Sequence, residues 1–236
     1  MKDVKPKKYL GQHFLKDETI AERIVNSLQV EQSCVVVEIG PGMGVLTKYF
    51  VDKAFDFYVS EIDKESVTYL KNRFPQLADK IIEGDFLKLN LSGKFSEKLA
   101  IIGNFPYNIS SQILFQVYDN RNIVCELVGM FQKEVAERIA SAPGKKAYGI
   151  LSVLLQAYYD IEYLFTVDEH VFSPPPKVKS GVVRLVRKQN IELDCDEVFF
   201  KQIVKVSFNQ RRKMLRNSLK AWVATSGIKN NPIFDK

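Results

Sequence analysis

The sequence predicts an α/β protein with a parallel sheet that helices cover on both faces, followed by a small all-α domain. From about residue 35 to residue 188, short β-branched and apolar runs alternate with amphipathic segments. This alternation is typical of a parallel sheet with crossover helices on its two faces. After residue 188 the pattern is helical only, so we expect one domain over residues 1–188 and a second over residues 189–236.

Periodicity and capping residues predict the individual elements. Asp17 is a suitable N-cap for a helix in which Ile20, Ile24 and Leu28 share one face. Strands are expected at residues 35–39, 55–62, 80–83, 99–103 and 123–130, and helices at residues 45–53, 64–74 and 111–118 and from about residue 132. Residues 148–159 suit a buried helix, and two last strands are expected at residues 161–167 and 181–186.

The composition argues against several classes of protein. Of the 236 residues 46% are hydrophobic, enough for a sizeable core, yet no apolar run reaches the length of about 18 residues that a membrane span needs. The polar, basic N-terminus has no apolar core of the kind that signal peptides carry. Cys34, Cys125 and Cys195 are widely spaced, and there are only two histidines. We therefore expect reduced thiols, no metal site and a cytoplasmic protein.

The positive charge of the chain is concentrated near its C-terminal end. The net charge is +6, and residues 201–220 contain seven Lys and Arg residues but no Asp or Glu. A block this one-sided favours contact with nucleic acid, with a solvated basic helix face as the alternative. The cations that we expect to contact RNA are Arg211, Arg212, Lys213 and Arg216.

Glycine or polar residues follow four successive predicted strands. The four strand ends carry, in chain order, Glu38-Ile39-Gly40-Pro41-Gly42-Met43-Gly44, then Glu61, then Asp85, then Asn104-Phe105-Pro106-Tyr107. The carboxyl ends of parallel strands meet at one edge of a sheet, where open α/β sheets bind their ligands. The sequence therefore predicts a single ligand-binding site at this edge.

The chemistry of these residues favours S-adenosylmethionine as the ligand. The glycine spacing is GxGxG and not the GxGxxG of dinucleotide binders, although Gly40 and Gly42 still allow a close approach of the backbone. Glu38 precedes the turn, and the ligand carries a cationic sulfonium and an ammonium group. Glu61 can accept hydrogen bonds from ribose hydroxyls, and Asp85 can accept one from an adenine amino group.

Several segments together resemble one known family. They are residues 10–15 (Leu-Gly-Gln-His-Phe-Leu), 38–44, 104–110, 132–135, 172–178 and 208–219. The sequence resembles the adenine-N6 ribosomal RNA methyltransferases, specifically the bacterial small-subunit rRNA dimethyladenosine transferases linked to kasugamycin sensitivity. The resemblance implies a Rossmann-like class I S-adenosylmethionine-dependent methyltransferase sheet. It also implies cofactor-binding roles for His13, Leu15, Gly40, Glu61, Asp85 and Asn104. His13 departs from the asparagine that some members carry, which a role through backbone atoms would tolerate.

We interpret the Asn-Phe-Pro-Tyr segment as the catalytic one. An exocyclic adenine amine is a poor nucleophile, and two acceptors, the Asn104 side-chain oxygen and the Phe105 carbonyl, would favour its tetrahedral form. Pro106 would keep the turn rigid, and Tyr107 would stack on the base. Phe172 would cover the other face of the base, with packing in the core as the open alternative.

The resemblance implies a substrate and a partner as well. The substrate would be two adjacent adenosines in the loop of the 3′-terminal hairpin of small-subunit rRNA, each methylated twice. The partner would be that rRNA within a pre-30S particle, and we expect a monomer. Two alternatives remain open, a large-subunit rRNA adenine methyltransferase and a non-catalytic ribosome-assembly factor. Family members usually continue with a further helical segment, which leaves open a truncated second domain.

Overall fold

The computed structural model describes residues 4–31, 33–189, 191 and 193–225. The strands within these ranges are β1 Phe14–Leu15, β2 Val35–Ile39, β3 Asp56–Glu61, β4 Ile81–Glu83, β5 Leu99–Asn104, β6 Val124–Gln132, β7 Tyr159–Val167, β8 Phe172–Ser173 and β9 Ser180–Arg187. The α-helices are α1 Glu18–Asn26, α2 Lys64–Arg73, α3 Leu91–Lys94, α4 Ser110–Asp119, α5 Lys133–Ile139, α6 Ile150–Tyr158, α7 Glu197–Asn209 and α8 Leu215–Thr225. Across the described residues, no helix combines the length and the apolar character that a membrane crossing requires.

Seven strands form one sheet in the order β4-β3-β2-β5-β6-β9-β7. The pairs from β4 to β6 are parallel, as the sequence predicts. The expectation of parallel pairing is wrong for the last two strands, because β9 lies antiparallel between β6 and β7. The link between β7 and β9 contains no α-helix that could carry the chain across the sheet, so β9 returns antiparallel.

Both faces of the sheet are buried. Ile101 and Ile102 are consecutive residues of β5, both 0% exposed, and they point into opposite halves of the core. Helices α4, α5, α6 and α7 cover the Ile101 face, whereas α1 and α2 cover the Ile102 face. A parallel sheet covered in this way offers polar groups to a ligand only at its edges.

The prediction of an α-helix at residues 45–53 is wrong. This segment forms a short 3₁₀ helix, Thr47–Tyr49, flanked by turns. The fully buried Thr47 donates its hydroxyl to Glu38 Oε2 at 2.7 Å, and Phe50 stacks on Phe57 with 4.9 Å between ring centroids. These contacts tie the segment to β2 and β3, so tertiary packing overrides the helical pattern.

The Phe105 ring anchors the loop that follows β5. Gly103 and Gly129 are register partners on β5 and β6, and the ring lies against both. A Cβ at Gly129 would lie 2.0 Å from the ring, and one at Gly103 would lie 2.6 Å from it. Phe105 is 1% exposed, and its N–H donates to the Met130 carbonyl at 3.1 Å. The glycine pair therefore makes room for the side chain that fixes the loop.

Helix α7 packs on the sheet domain, and α8 packs against α7. Val204 of α7 is buried in the same cluster as α4 and α6. The predicted second domain is thus helical over the residues that the structure describes, and its boundary at residue 188 stays a prediction. The question of a truncated end concerns residues 226–236, which lie outside the described residues.

Replacing Gly129 by alanine should destabilise the fold, because the new Cβ overlaps the Phe105 ring and forces it to move. Overpacking of this kind costs roughly 1–3 kcal/mol. The free energy of unfolding from urea titration measures the loss. Gly149→Ala is the matched control, since a Cβ there meets no atom closer than 3.8 Å. Equal stabilities for the two variants would contradict the anchoring role of Phe105.

Candidate active site

A cavity of about 540 Å³ opens at the carboxyl ends of β2, β3 and β5. Residues 10–16, called here the N-terminal segment, form one of its walls. The residues predicted to bind a cofactor all line it: His13, Leu15, Glu38, Gly40, Gly42, Glu61, Asp85 and Asn104. Phe105, Pro106 and Tyr107 line it too. The structure thus gathers residues from four strand ends into one site.

The glycine-rich turn after β2 adopts a backbone that favours glycine. Gly40 and Gly42 have φ of 65° and 56°, in the left-handed region that most side chains disfavour. The Gly40 N–H donates to the Ser60 carbonyl at 2.9 Å, which joins the turn to β3. A Cβ at Gly42 would lie 2.7 Å from the Phe14 ring. The turn therefore needs glycine both for its backbone and for its contact with the N-terminal segment.

Backbone donors hold the Glu61 carboxylate in place. Oε1 accepts hydrogen bonds from the N–H groups of Ile62 and Asp63, both at 2.9 Å, and Oε2 accepts one from Gly42 at 3.1 Å. Burial nonetheless raises the pKa of Glu61, and the backbone donors act against that shift. Each carboxylate oxygen has about two acceptor positions. Oε1 is therefore saturated, and Oε2 keeps one position for a ligand.

Glu38 is a second buried carboxyl on the cavity wall. It is 2% exposed, and burial raises its pKa to about 8, with a smaller contribution in the same direction from Glu61. The hydroxyl of Thr47 opposes the shift by donating to Oε2. Glu38 is therefore mostly protonated near neutral pH and would ionise if a cation entered the cavity beside it.

Asp85 follows β4 and caps the 3₁₀ helix Phe86–Lys88. Its Oδ1 accepts the Leu87 N–H at 3.0 Å. Its Oδ2 makes no hydrogen bond within the described part of the chain. Asp85 thus has a fixed side chain and a free acceptor at the cavity wall.

A single hydrogen bond orients the Asn104 side chain. Asn104 Nδ2 donates to the main-chain carbonyl of His13 at 2.9 Å. A carbonyl can only accept, so the amide nitrogen must be the atom that faces His13. The side-chain oxygen then points the other way, and no described residue donates to it. The His13 carbonyl thereby leaves an acceptor at the cavity for a ligand amine.

Tyr107 is held from two sides. Its hydroxyl lies 2.6 Å from Ser180 Oγ, and its ring stacks on the His13 imidazole with 5.5 Å between centroids and 30° between planes. Burial raises the pKa of Tyr107, so the phenol stays protonated. Sequence reasoning missed Ser180, which is 0% exposed. A signal was present, because Ser180 closes the Pro-rich segment directly before an apolar strand.

Phe172 does not line the cavity, and the prediction that it covers a bound base needs correction. Its ring is 1% exposed and packs in the core with α1 and β6. Pairing of β1 with β8 sets Phe172 opposite Leu15, which turns the ring inward. The packing alternative therefore describes its position. Pro174, which directly follows β8, also contacts the N-terminal segment, because its carbonyl lies 2.8 Å from His13 Nδ1.

None of the predicted RNA-contacting cations lines the cavity. Arg211, Arg212, Lys213 and Arg216 are all exposed, in and just after the turn between α7 and α8. Arg211 Nη2 donates to the Lys145 carbonyl at 3.0 Å. The structure thus separates a chemical site from a basic surface.

The chain is similar in sequence to a known family of proteins. A family model described as ribosomal RNA adenine dimethylase matches residues 4–231. Ribosomal RNA small subunit methyltransferase A of Cytophaga hutchinsonii is 58% identical over 238 residues, which cover 100% of this chain and 92% of the relative.

Two solved structures are similar over most of the chain. A dimethyladenosine transferase from Plasmodium falciparum matches with a TM-score of 0.75 and 28% identity, covering 88% of this chain and 75% of that one. The 23S rRNA methyltransferase ErmE matches with a TM-score of 0.72 and 25% identity, covering 88% and 84%. The sheet thus has the Rossmann-like form found in class I methyltransferases. The chain belongs to the ribosomal RNA adenine dimethylase family of S-adenosylmethionine-dependent methyltransferases.

Proposed function

We propose that the chain transfers methyl groups from S-adenosylmethionine to the N6 amines of two adjacent adenosines in the 3′-terminal hairpin loop of small-subunit rRNA, two methyl groups to each. The observation that carries this proposal is the state of Asn104, a residue of the cavity wall. Its side-chain nitrogen is bound to the His13 carbonyl, and its side-chain oxygen accepts no hydrogen bond from a described residue. The relatives named as small-subunit methyltransferases support the choice of rRNA.

The residues of the cavity suit S-adenosylmethionine. This group supplies a methyl on a cationic sulfonium that an amine can attack. Two buried carboxyls, Glu38 and Glu61, line the cavity, and no Lys or Arg in the described residues pairs with either. Such a site favours a cationic ligand. Glu61 Oε2 would accept from the ribose, Asp85 Oδ2 from the adenine amino group, and the Gly40–Gly42 turn would allow close approach.

Two acceptors would receive the amine of the target adenine. One is the side-chain oxygen of Asn104, and the other is the Phe105 carbonyl, which accepts no hydrogen bond from the described residues. Both are fixed before the substrate binds, Asn104 by His13 and Phe105 by its buried ring. Fixed acceptors hold the amine lone pair toward the methyl donor, and positioning of this kind supplies much of an enzymatic rate.

Tyr107 would stack on the target base. Stacking on an aromatic ring is worth roughly 1–3 kcal/mol per base, comparable with the few kcal/mol that extrusion of a base costs. Because the ring of Tyr107 is already held by Ser180 and His13, little of this energy is lost in ordering it.

The basic turn between α7 and α8 would hold the RNA by its phosphates. Contacts of this kind position a nucleic acid without reading its sequence and weaken with salt. We place the activity on a pre-30S particle in the cytoplasm, where a protein with three free thiols would remain reduced, and we propose that the enzyme acts as a monomer.

The large-subunit alternative has weaker support. ErmE, named as a 23S rRNA methyltransferase, is 25% identical, whereas the relatives named for the small subunit reach 58%. A non-catalytic role is disfavoured by the full set of acceptors at the cavity.

A radiolabelled methyl-transfer assay on separated, under-methylated ribosomal subunits tests the function. We expect label in the small subunit, mapping to two adjacent adenosines as dimethyladenosine. Label in the large subunit, or no transfer at all, would overturn the proposal.

Replacing Asn104 by alanine removes one of the two fixed acceptors. Loss of a single positioned polar group at an active site lowers kcat about 10²- to 10³-fold, and we expect a similar loss here. Binding of S-adenosylmethionine, followed by calorimetry, should be retained. Asn26→Ala is the matched control, because Asn26 is exposed at the end of α1. Full turnover by the Asn104 variant would refute the assignment.

Binding of S-adenosylmethionine should release a proton from Glu38. The pKa of Glu38 is raised to about 8 in the free protein, and a bound cation favours the ionised form and lowers it. Protons then bind more weakly in the complex, so affinity rises as the pH approaches about 8 and levels off above it. Calorimetry in buffers of different ionisation enthalpy measures the release. Glu38→Gln should abolish it, and the exposed Glu97→Gln should not. Unchanged proton release in the Glu38 variant would count against this role.

A further inference from the structure

The course of α7 brings the basic turn to the catalytic edge of the sheet. Glu197, at the start of α7, bonds to Tyr158 at 2.8 Å and to Arg121, both near the amino ends of the strands. Further along α7, Lys201 pairs with Asp119 at the end of α4, and Lys205 lies over the Phe115 ring, one helical turn earlier in α4. Helix α7 therefore runs antiparallel to α4.

This direction has a consequence for the position of the turn. Helix α4 begins at Ser110, directly after the Asn104–Tyr107 loop. The 13 residues of α7 span about 20 Å, comparable with the length of the strands beside it. The turn at residues 210–214 thus lies toward the same end of the sheet as the cavity.

A loop of the sheet domain joins this turn. Residues 140–149 connect α5 to α6. Arg211, in the turn, donates to the Lys145 carbonyl at 3.0 Å, and the Tyr148 ring lies 6.2 Å from that of Phe208 in the last turn of α7. Gln156 donates to the Ser141 carbonyl at 2.8 Å and holds the start of the loop. Loop and turn are therefore tied together.

Together they carry a concentrated positive charge. Lys145 and Lys146 are exposed, and neither has an ion pair with a described residue. No Asp or Glu occurs in residues 140–149 or 201–220. The cations of the two elements, here called the composite basic surface, are Lys145, Lys146, Arg211, Arg212, Lys213 and Arg216.

We propose that Lys145 and Lys146 bind phosphates of the substrate rRNA together with the basic turn, so that one RNA backbone spans the sheet domain and the C-terminal helices. This rests on the proposed function and extends it, since sequence reasoning assigned RNA contact to the C-terminal block alone. Exposed lysines on a fixed loop suit phosphates, which need charge and no base-specific geometry. Contacts from two connected elements would also fix the direction of the RNA relative to the cavity.

The salt dependence of RNA binding tests the proposal. Association constants of the full chain for protein-free small-subunit rRNA and for under-methylated small subunits are measured from about 50 to about 200 mM salt. Each phosphate contact contributes about 0.7–0.9 to the slope of log K against log salt. The Lys145→Ala/Lys146→Ala variant should therefore lose about 1.4–1.8 of that slope on both RNAs. An Arg211→Ala/Arg212→Ala/Lys213→Ala variant should lose more.

The matched control is Lys53→Ala/Lys94→Ala. Both lysines are exposed and precede β3 and β5, at the opposite edge of the sheet. The control should keep the slope of the unaltered chain. If the Lys145/Lys146 variant also kept the slope of the unaltered chain, the proposal would be overturned. A change in slope seen only with intact subunits would overturn it too, because it would indicate contact with a ribosomal protein. Methyl transfer by the unaltered chain to small subunits tests the proposed function separately from either result.

Discussion

The burial of the Phe105 ring against two glycines is the contact on which the active site depends. Gly103 and Gly129 stand side by side on β5 and β6, and their missing side chains leave the space that the ring fills. Because Phe105 lies between Asn104 and Pro106, the residues on either side of it cannot shift without withdrawing the ring from the core. The acceptor pair that we propose for the substrate amine thus gains its rigidity from hydrophobic packing.

Around this anchor, the site contains buried polar groups whose removal from water costs free energy. Two carboxyls are nearly buried below the glycine turn, and the pKa of each is raised because burial disfavours the charged form. Backbone N–H groups compensate for part of this cost at Glu61, whereas Glu38 has only the Thr47 hydroxyl. The free protein therefore stores an unfavourable arrangement that a cationic ligand would relieve. This difference in hydrogen bonding explains why burial raises the pKa of Glu38 further than that of Glu61.

The sequence was sufficient to predict where the site would be, because parallel strands bring their carboxyl ends together whatever the helices do. Glu61, Asp85 and Asn104 could be assigned to one edge from strand ends alone. What could not be predicted depends on contacts between distant segments. The hydrogen bonds from Asn104 to the His13 carbonyl and between Tyr107 and Ser180 each join residues that are more than 70 positions apart. The burial of Phe172 depends on the pairing of β1 with β8. The helix predicted for residues 45–53 failed for the same reason, since its apolar pattern serves packing against β2 and β3.

The place of β9 in the sheet has a consequence for the nascent chain. Strand β9 is the last to be synthesised, yet it sits between β6 and β7, and β7 has no other neighbour in the sheet. Strand β6 ends at Gln132 and β9 ends at Arg187, so one edge of β6 stays unpaired while the ribosome translates the 55 residues between them. At about 5–20 residues per second this takes roughly 3–11 s. Ser180, which holds Tyr107, is the first residue of β9. A chain that ends before β9 contains the glycine turn, Glu38 and Glu61 but lacks Ser180, the hydroxyl partner of Tyr107. The ring that we propose to stack on the base therefore gains this contact only after β9 has been translated.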